Sequence, residues 1–143
     1  MILIDANLLI YAYDPAAGNH HRARAWLESV LSTEREVGLP LQSVSAFLRI
    51  LTQVGLPGAR LSMAEAIDIV DTWFHLPSVR LLSPCETHWE LLREILIESE
   101  ANGRFVTDAQ LAALVLEFDG TLYTTDSDFS RFPGLRWQNP LVP

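Results

Sequence analysis

Short apolar runs alternate along the chain with longer stretches in which apolar residues return every three or four positions. The first pattern predicts buried strands and the second predicts amphipathic helices. Residues 1–4, Met-Ile-Leu-Ile, read as a buried strand that ends on Asp5. A short helix is expected over 7–13 and stops at Asp14-Pro15, because a residue before proline is pushed out of the helical region. Residues 20–32 predict a helix with Ala23, Trp26, Leu27, Val30 and Leu31 on one face. Residues 37–39 are a weaker strand candidate. Residues 43–54 predict a helix with Phe47, Leu48, Leu51 and Val54 inward, and 55–58 a break.

Three stretches carry the capping-box pattern, Ser or Thr followed three residues later by Glu or Gln, which satisfies orphan amides at a helix start. Ser62 with Glu65 predicts a helix to about residue 75. Ser83 with Glu86, and Pro84 at the first helical position, predicts one to about residue 100. Thr107 with Gln110 predicts one to about residue 118. Residues 79–82 and 122–124 are further strand candidates, and 135–137 a final edge strand. Asn102-Gly103 and Asp119-Gly120 are stop signals. Alternation of this kind from end to end, with no internal repeat, low-complexity tract or linker, points to one α/β domain over 1–143 with a largely parallel sheet.

The 143 residues are enough to bury a real core, and 49% hydrophobic with 20% charged residues excludes a disordered chain. A single cysteine, Cys85, forms no internal disulfide and leaves no thiolate cluster for zinc. No apolar run approaches the ~18 residues of a membrane span. The start lacks a basic region and meets a carboxylate at once, so the cytoplasm is the expected compartment. The net charge is −8 and all ten basic residues are arginine. Bulk electrostatics would therefore repel a nucleic acid, although arginine forks or a metal ion can hold phosphate locally.

The acids fall in suggestive places. Asp5 ends the first strand, Asp108 follows the Thr107 cap, and Asp126 and Asp128 follow the strand at 122–124. In an open parallel sheet the carboxyl ends of strands gather at one crevice, so these groups can converge. Two carboxylates about 4 Å apart repel by roughly 4 kcal/mol at an effective dielectric near 20. A hard divalent ion such as Mg²⁺ or Mn²⁺ offsets that repulsion, polarises a phosphoryl oxygen and acidifies water, the chemistry of phosphodiester hydrolysis. Plainer roles compete: Asp108 could serve the helix dipole, and one of Asp126 and Asp128 a cap, for which Asp128 is favoured. Asn7 is expected to cap the first helix. Of the four histidines, His20 and His21 are adjacent and point apart, and His75 and His88 fall in separate helices, so imidazole acid–base catalysis is disfavoured, and no phosphate-binding glycine loop is present. Arg49 and Arg104 are the candidates for phosphate contact.

Three segments, Ile2-Leu3-Ile4-Asp5-Ala6-Asn7, Val106-Thr107-Asp108-Ala109 and Thr124-Thr125-Asp126-Ser127-Asp128-Phe129, in this order and at these separations, resemble the PIN domain. More narrowly the chain resembles VapC-type toxins of type II toxin–antitoxin pairs, and Asp128-Phe129-Ser130-Arg131-Phe132-Pro133-Gly134-Leu135 is similar to that subgroup. The resemblance implies a three-layer α/β/α fold with a mainly parallel central sheet. It implies a Mg²⁺- or Mn²⁺-dependent endoribonuclease, a homodimer, and silencing by a cognate VapB-like antitoxin. It also implies that Asp5, Asp108 and Asp126 hold the metal, with Asp128 a further catalytic acid and Thr125 a hydroxyl neighbour. The chain departs from the pattern once: the family usually has a glutamate three residues before Arg49, and here that residue is Ala46. Ser43, on the same helix face, could hold a metal-bound water. Two alternatives stand beside this reading. One is a catalytically degenerate PIN-like module that only binds RNA or a partner. The other is an aspartyl-phosphate phosphatase, which would need a second acid where Asn7 stands.

Overall fold

The computed structural model describes residues 1–33, 35–55 and 61–143. Its centre is a five-stranded sheet in the order β3-β2-β1-β4-β5, formed by β1 (Ile2–Ile4), β2 (Val37–Pro40), β3 (Val79–Leu82), β4 (Thr121–Tyr123) and β5 (Trp137–Gln138). Every pairing is parallel, with Leu3 opposite Gly38 on one side and Leu122 on the other. Successive β1 side chains point to opposite faces, as a pleated strand requires. Ile2 and Ile4 enter one core and Leu3 the other. Both faces are covered, so β1 is apolar throughout rather than alternating with polar residues.

On the Ile2 and Ile4 face lie α1 (Ala6–Tyr13), α2 (His20–Leu31), α3 (Leu41–Leu51) and α4 (Met63–Phe74). Tyr13, Phe47 and Trp73 meet there with ring centroids 4.9–5.8 Å apart. On the Leu3 face lie α5 (His88–Ser99) and α6 (Phe105–Glu117), joined by Phe129 and Phe132. The result is the expected three-layer α/β/α arrangement. Among the described residues no helix is long and apolar enough to cross a membrane.

Local chemistry explains most element boundaries. Asp5 caps α1, and Asp14 ends it in an extended conformation, as the following Pro15 demands. Ser62 and Glu65 form the expected reciprocal capping box at α4. The other two boxes do not form. Helix α5 starts at His88 rather than beside Ser83, and the amide of Cys85 is taken instead by Glu117 Oε1 at 3.2 Å. Helix α6 starts at Phe105, because the amides of Phe105 and Val106 bond back to Asn102 and Gly103 and begin the helix before Thr107. Helix α3 begins two residues earlier than expected and ends at Leu51. The break at 55–58 lies, beyond Gly55, outside the described residues. The weak strand candidate at 37–39 is a fully buried interior strand, whereas the last strand is displaced to Trp137–Gln138.

Candidate active site

Strand order reverses between β1 and β4: the chain runs outward from β1 to β2 and β3, then returns to the other side of β1. At such a switch point the connections after the two strands diverge and leave a crevice. Asp5 follows β1 there, and Thr124 and Asp126 follow β4.

The side chain that joins these two segments is Thr124, fully buried at 0% exposure. Its hydroxyl donates to Asp5 Oδ2 (2.7 Å) and accepts from Asn7 Nδ2 (3.1 Å) and from the Asp126 amide (3.0 Å). One donor and two acceptor sites exhaust what a hydroxyl offers. Asp5 is further fixed by its own cap bond, Oδ1 accepting the Ala6 amide at 2.7 Å, and by its amide donating to Tyr123 O at 3.0 Å. Sequence reasoning placed the hydroxyl at Thr125. The structure places it at Thr124, and the Thr125 amide instead approaches Asn7 Oδ1 at 3.4 Å. Asn7 is therefore a clasp between α1 and the loop after β4, and the cap of α1 is Asp5. A β-branched threonine at a strand end reads as a packing residue, so the only signal for Thr124 was its place two residues before Asp126.

The cap role expected of Asp128 falls to Asp126. Asp126 caps the short 3₁₀ helix Ser127–Arg131, its Oδ1 accepting the Asp128 amide at 2.8 Å, whereas Asp128 lies inside that helix. Asp108 is the fourth residue of α6, in its first turn rather than at its first position.

These acids act on one another. Burial pushes the Asp5 carboxyl above the usual carboxylate range, against the hydrogen bonds from Thr124 and Ala6, and the Asp126 charge adds to the rise. Asp108 is pushed up to about 6, first by burial and then by the charges of Asp126, Asp5 and Asp128, with Arg131 opposing. Asp108 thus feels the charge of each of the other three acids.

Asp5 and Asp108 stand in the wall of a cleft of about 670 Å³ that opens between α3, the end of β3 and α6; Asp126 and Asp128 are not in that wall. Ala46, Ser43 and Arg49 line it from α3, and His88 from α5. His88 Nδ1 faces Glu117 Oε2 at 3.5 Å, so it belongs to a small cluster with Cys85 and Glu117 rather than to the acids. Of the two arginine candidates, Arg49 is in the cleft wall and Arg104 lies against the Phe105 ring, its Cζ 4.5 Å from the centroid. The arginine that reaches the acids is a third one, Arg131. Its Cζ lies 3.4 Å from the centroid of the same Phe105 ring and its Nε donates to Asp128 O at 3.2 Å.

The donor set is all oxygen, which suits a hard divalent cation. Among the described residues no three His, Cys, Asp or Glu side chains already stand close enough to enclose an ion. Mg²⁺ does not need such a cage, since it keeps several waters and is commonly held by one or two carboxylates together with substrate phosphate. Burial and the neighbouring acid charges both disfavour ionised Asp108, and a cation would relieve the second of these, so the residues fit the ion.

The chain matches the family model for the PIN domain over residues 2–135. It is 36% identical over 141 residues to Ribonuclease VapC33 of Mycobacterium tuberculosis, covering 99% of each chain. It is likewise 36% identical over 140 residues to Ribonuclease VapC37 of the same organism, covering 98% and 97%. Among solved structures it is similar to M. tuberculosis VapC20, described as a sarcin–ricin loop cleaving toxin, with a TM-score of 0.66, 19% identity and coverage of 95% and 99%. It is also similar to VapBC-1 from nontypeable Haemophilus influenzae, with a TM-score of 0.69, 17% identity and coverage of 99% and 100%.

Proposed function

The chain belongs to the PIN-domain family, among its VapC ribonucleases, and on that premise we propose that it is a divalent-cation-dependent endoribonuclease, the toxin of a VapBC-type pair. The observation that supports the metal reading is that burial, together with the charges of Asp126, Asp5 and Asp128, raises Asp108 to about 6 beside Asp5 in the cleft. Asp5, Asp108 and Asp126 would hold Mg²⁺ or Mn²⁺, and Asp128 would orient water beside them. A bound ion supplies Lewis acidity toward a phosphoryl oxygen and acidifies water.

The protein's own part is positioning. Thr124 and the Ala6 amide fix both oxygens of Asp5, so that its orientation is set before substrate arrives. Asp126 is held by its cap bond to the 3₁₀ helix. Arg131, stacked on Phe105 beside the acids, is placed to meet a phosphate in a chain whose overall charge is −8. Asp108 must give up its proton for the acids to act together as anions. RNA is the substrate in this reading, the products carry a 3′-hydroxyl and a 5′-phosphate, and the working form is a cytoplasmic homodimer silenced by a VapB-like antitoxin.

The test is cleavage of total RNA by the purified, partner-free protein with Mg²⁺, with Mn²⁺ and with EDTA. Cleavage is expected with either ion and none in EDTA, and Asp5→Asn is expected to abolish cleavage while the protein stays folded. Full activity of that variant would refute the assignment. One observation favours a second reading. The cleft wall carries Ala46 where the family has glutamate, as a degenerate RNA- or partner-binding module would; calorimetry showing no Mn²⁺ binding would support it. The phosphatase alternative loses ground because Asn7, at the place of its second acid, is committed to Thr124 and Thr125.

A further inference from the structure

Ser43 lies on α3 with 1% of its surface exposed, and its Oγ is buried without a hydrogen-bond partner. A helical serine or threonine usually settles its hydroxyl on the carbonyl four residues back. Thr52 does so on Leu48 O (2.5 Å) and Ser99 on Ile95 O (2.6 Å). Ser43 is the third residue of α3, and residue 39 belongs to β2, so no helical carbonyl stands four residues back to take its hydroxyl. The other buried side-chain atoms without partners among the described residues have simpler settings. Trp73 Nε1 belongs to the aromatic cluster, and His88 Nδ1 and Glu117 Oε2 face each other at 3.5 Å. Ser43 instead lines the cleft that also holds Asp5 and Asp108, and Ala46, on the same face of α3, adds no polar group there.

An unpaired buried hydroxyl disfavours the fold. Its position in the cleft wall indicates that its partner comes from outside the chain. We propose that Ser43 is a positioning residue for the divalent cation: its hydroxyl hydrogen-bonds a water in the cation's shell, serving from α3 through water where a carboxylate at position 46 would bind directly. Outer-shell partners of this kind orient the inner ligands and tune affinity. The inference rests on the cation reading given above, and it fixes two effects of opposite sign. Removing the hydroxyl relieves the cation-free protein of an unpaired group and takes a partner away from the bound cation. A serine with a purely structural role would show neither.

The experiment compares wild type, S43A and S45A. Ser45 is exposed on the same helix and lines the same cleft, so S45A reports the gain in helix propensity together with the loss of a solvated cleft hydroxyl, and the difference between the two variants isolates the buried one. In EDTA, the thermal midpoint of S43A is expected to exceed that of S45A by about 2 °C or more. In calorimetric titration with Mn²⁺ and no RNA, S43A is expected to bind about three- to tenfold more weakly than wild type, the loss of one hydrogen bond, and S45A to bind as wild type does. A midpoint gain in S43A no larger than that of S45A overturns the proposal, as does Mn²⁺ binding by S43A equal to wild type. If S43A changes only the KM for RNA, the hydroxyl faces the nucleic acid and the proposal likewise fails, with the cation reading intact. A wild-type protein that is folded and binds no Mn²⁺ overturns the cation reading and this inference with it.

Discussion

Replacing Asp108 by asparagine should make the metal-free protein more stable. The fold raises this carboxyl from 3.8 to about 6. At about 1.4 kcal/mol per unit, that shift sets a ceiling near 3 kcal/mol on the cost of ionising Asp108 in the folded state. The side chain is partly exposed, so solvent screening leaves about half of this, roughly 1.5 kcal/mol. Loss of a carboxylate from the first turn of α6 takes back about 0.5 kcal/mol. The net gain is about 1 kcal/mol, or about 2–4 °C in melting temperature for a chain of this size. The sign depends on pH. A raised folded pKa means that the folded state holds the proton longer than the unfolded chain. The penalty is absent below pH 4, grows between about pH 4 and 6, and is complete above 6. Thermal melts in EDTA at low salt should therefore show D108N ahead of wild type at pH 7.5 and level with it near pH 4. With Mn²⁺ present the order should narrow or reverse, because the ion stabilises the wild type more. A D108N that melts lower than wild type at pH 7.5, or gains equally at both pH values, would refute the reasoning.

Three further outcomes are expected. Thr124→Val should cost about 2–3 kcal/mol, because it strips a donor from Asp5 and acceptors from Asn7 and the Asp126 amide; chemical denaturation should show it, and Thr124→Ser should recover most of the loss. Gly120→Ala should destabilise by about 1–3 kcal/mol in the same assay, since the added Cβ would lie 2.1 Å from Leu3 Cδ1 and 3.1 Å from Met1 O. RNA cleavage at low, subsaturating Mg²⁺ should fall as pH drops through about 6, where Asp108 of the cation-free protein takes up its proton, and saturating Mg²⁺ should move the fall to lower pH, with Asp119→Asn, on the exposed turn before β4, leaving the profile unchanged.

What was legible in the sequence followed from local physics. The run at 1–4 could be read as a strand because both sheet faces are buried and no polar residue interrupts it. Asp5 stood out because it is an acid closing such a run, and part of the reason it stands there is local, since its carboxylate caps α1. The Ser62 box formed as its pattern prescribes. The Ser83 box carries the same pattern, yet α5 starts at His88 and the segment before it is tied to α6, where Glu117 holds the Cys85 amide. That tie is tertiary and invisible to a local motif. The same holds for Thr124, whose three partners lie on two segments separated by more than a hundred residues, and for the contact of Arg131 with Phe105, which brings α6 against the 3₁₀ helix. The orphaned hydroxyl of Ser43 is likewise a property of packing. Sequence could name the face it shares with Ala46, and only the fold shows that nothing among the described residues satisfies it.

The central claim is that Asp5, Asp108, Asp126 and Asp128 share one electrostatic site. The most direct test is the titration of the Asp108 carboxyl by carbon-detected NMR in metal-free protein, in wild type and in D126N. The account predicts a midpoint near 6 in wild type that moves clearly downward when the Asp126 charge is removed. A carboxyl that titrates near 4 in both proteins would contradict it, because Asp108 would then stand apart from the acids it is said to join.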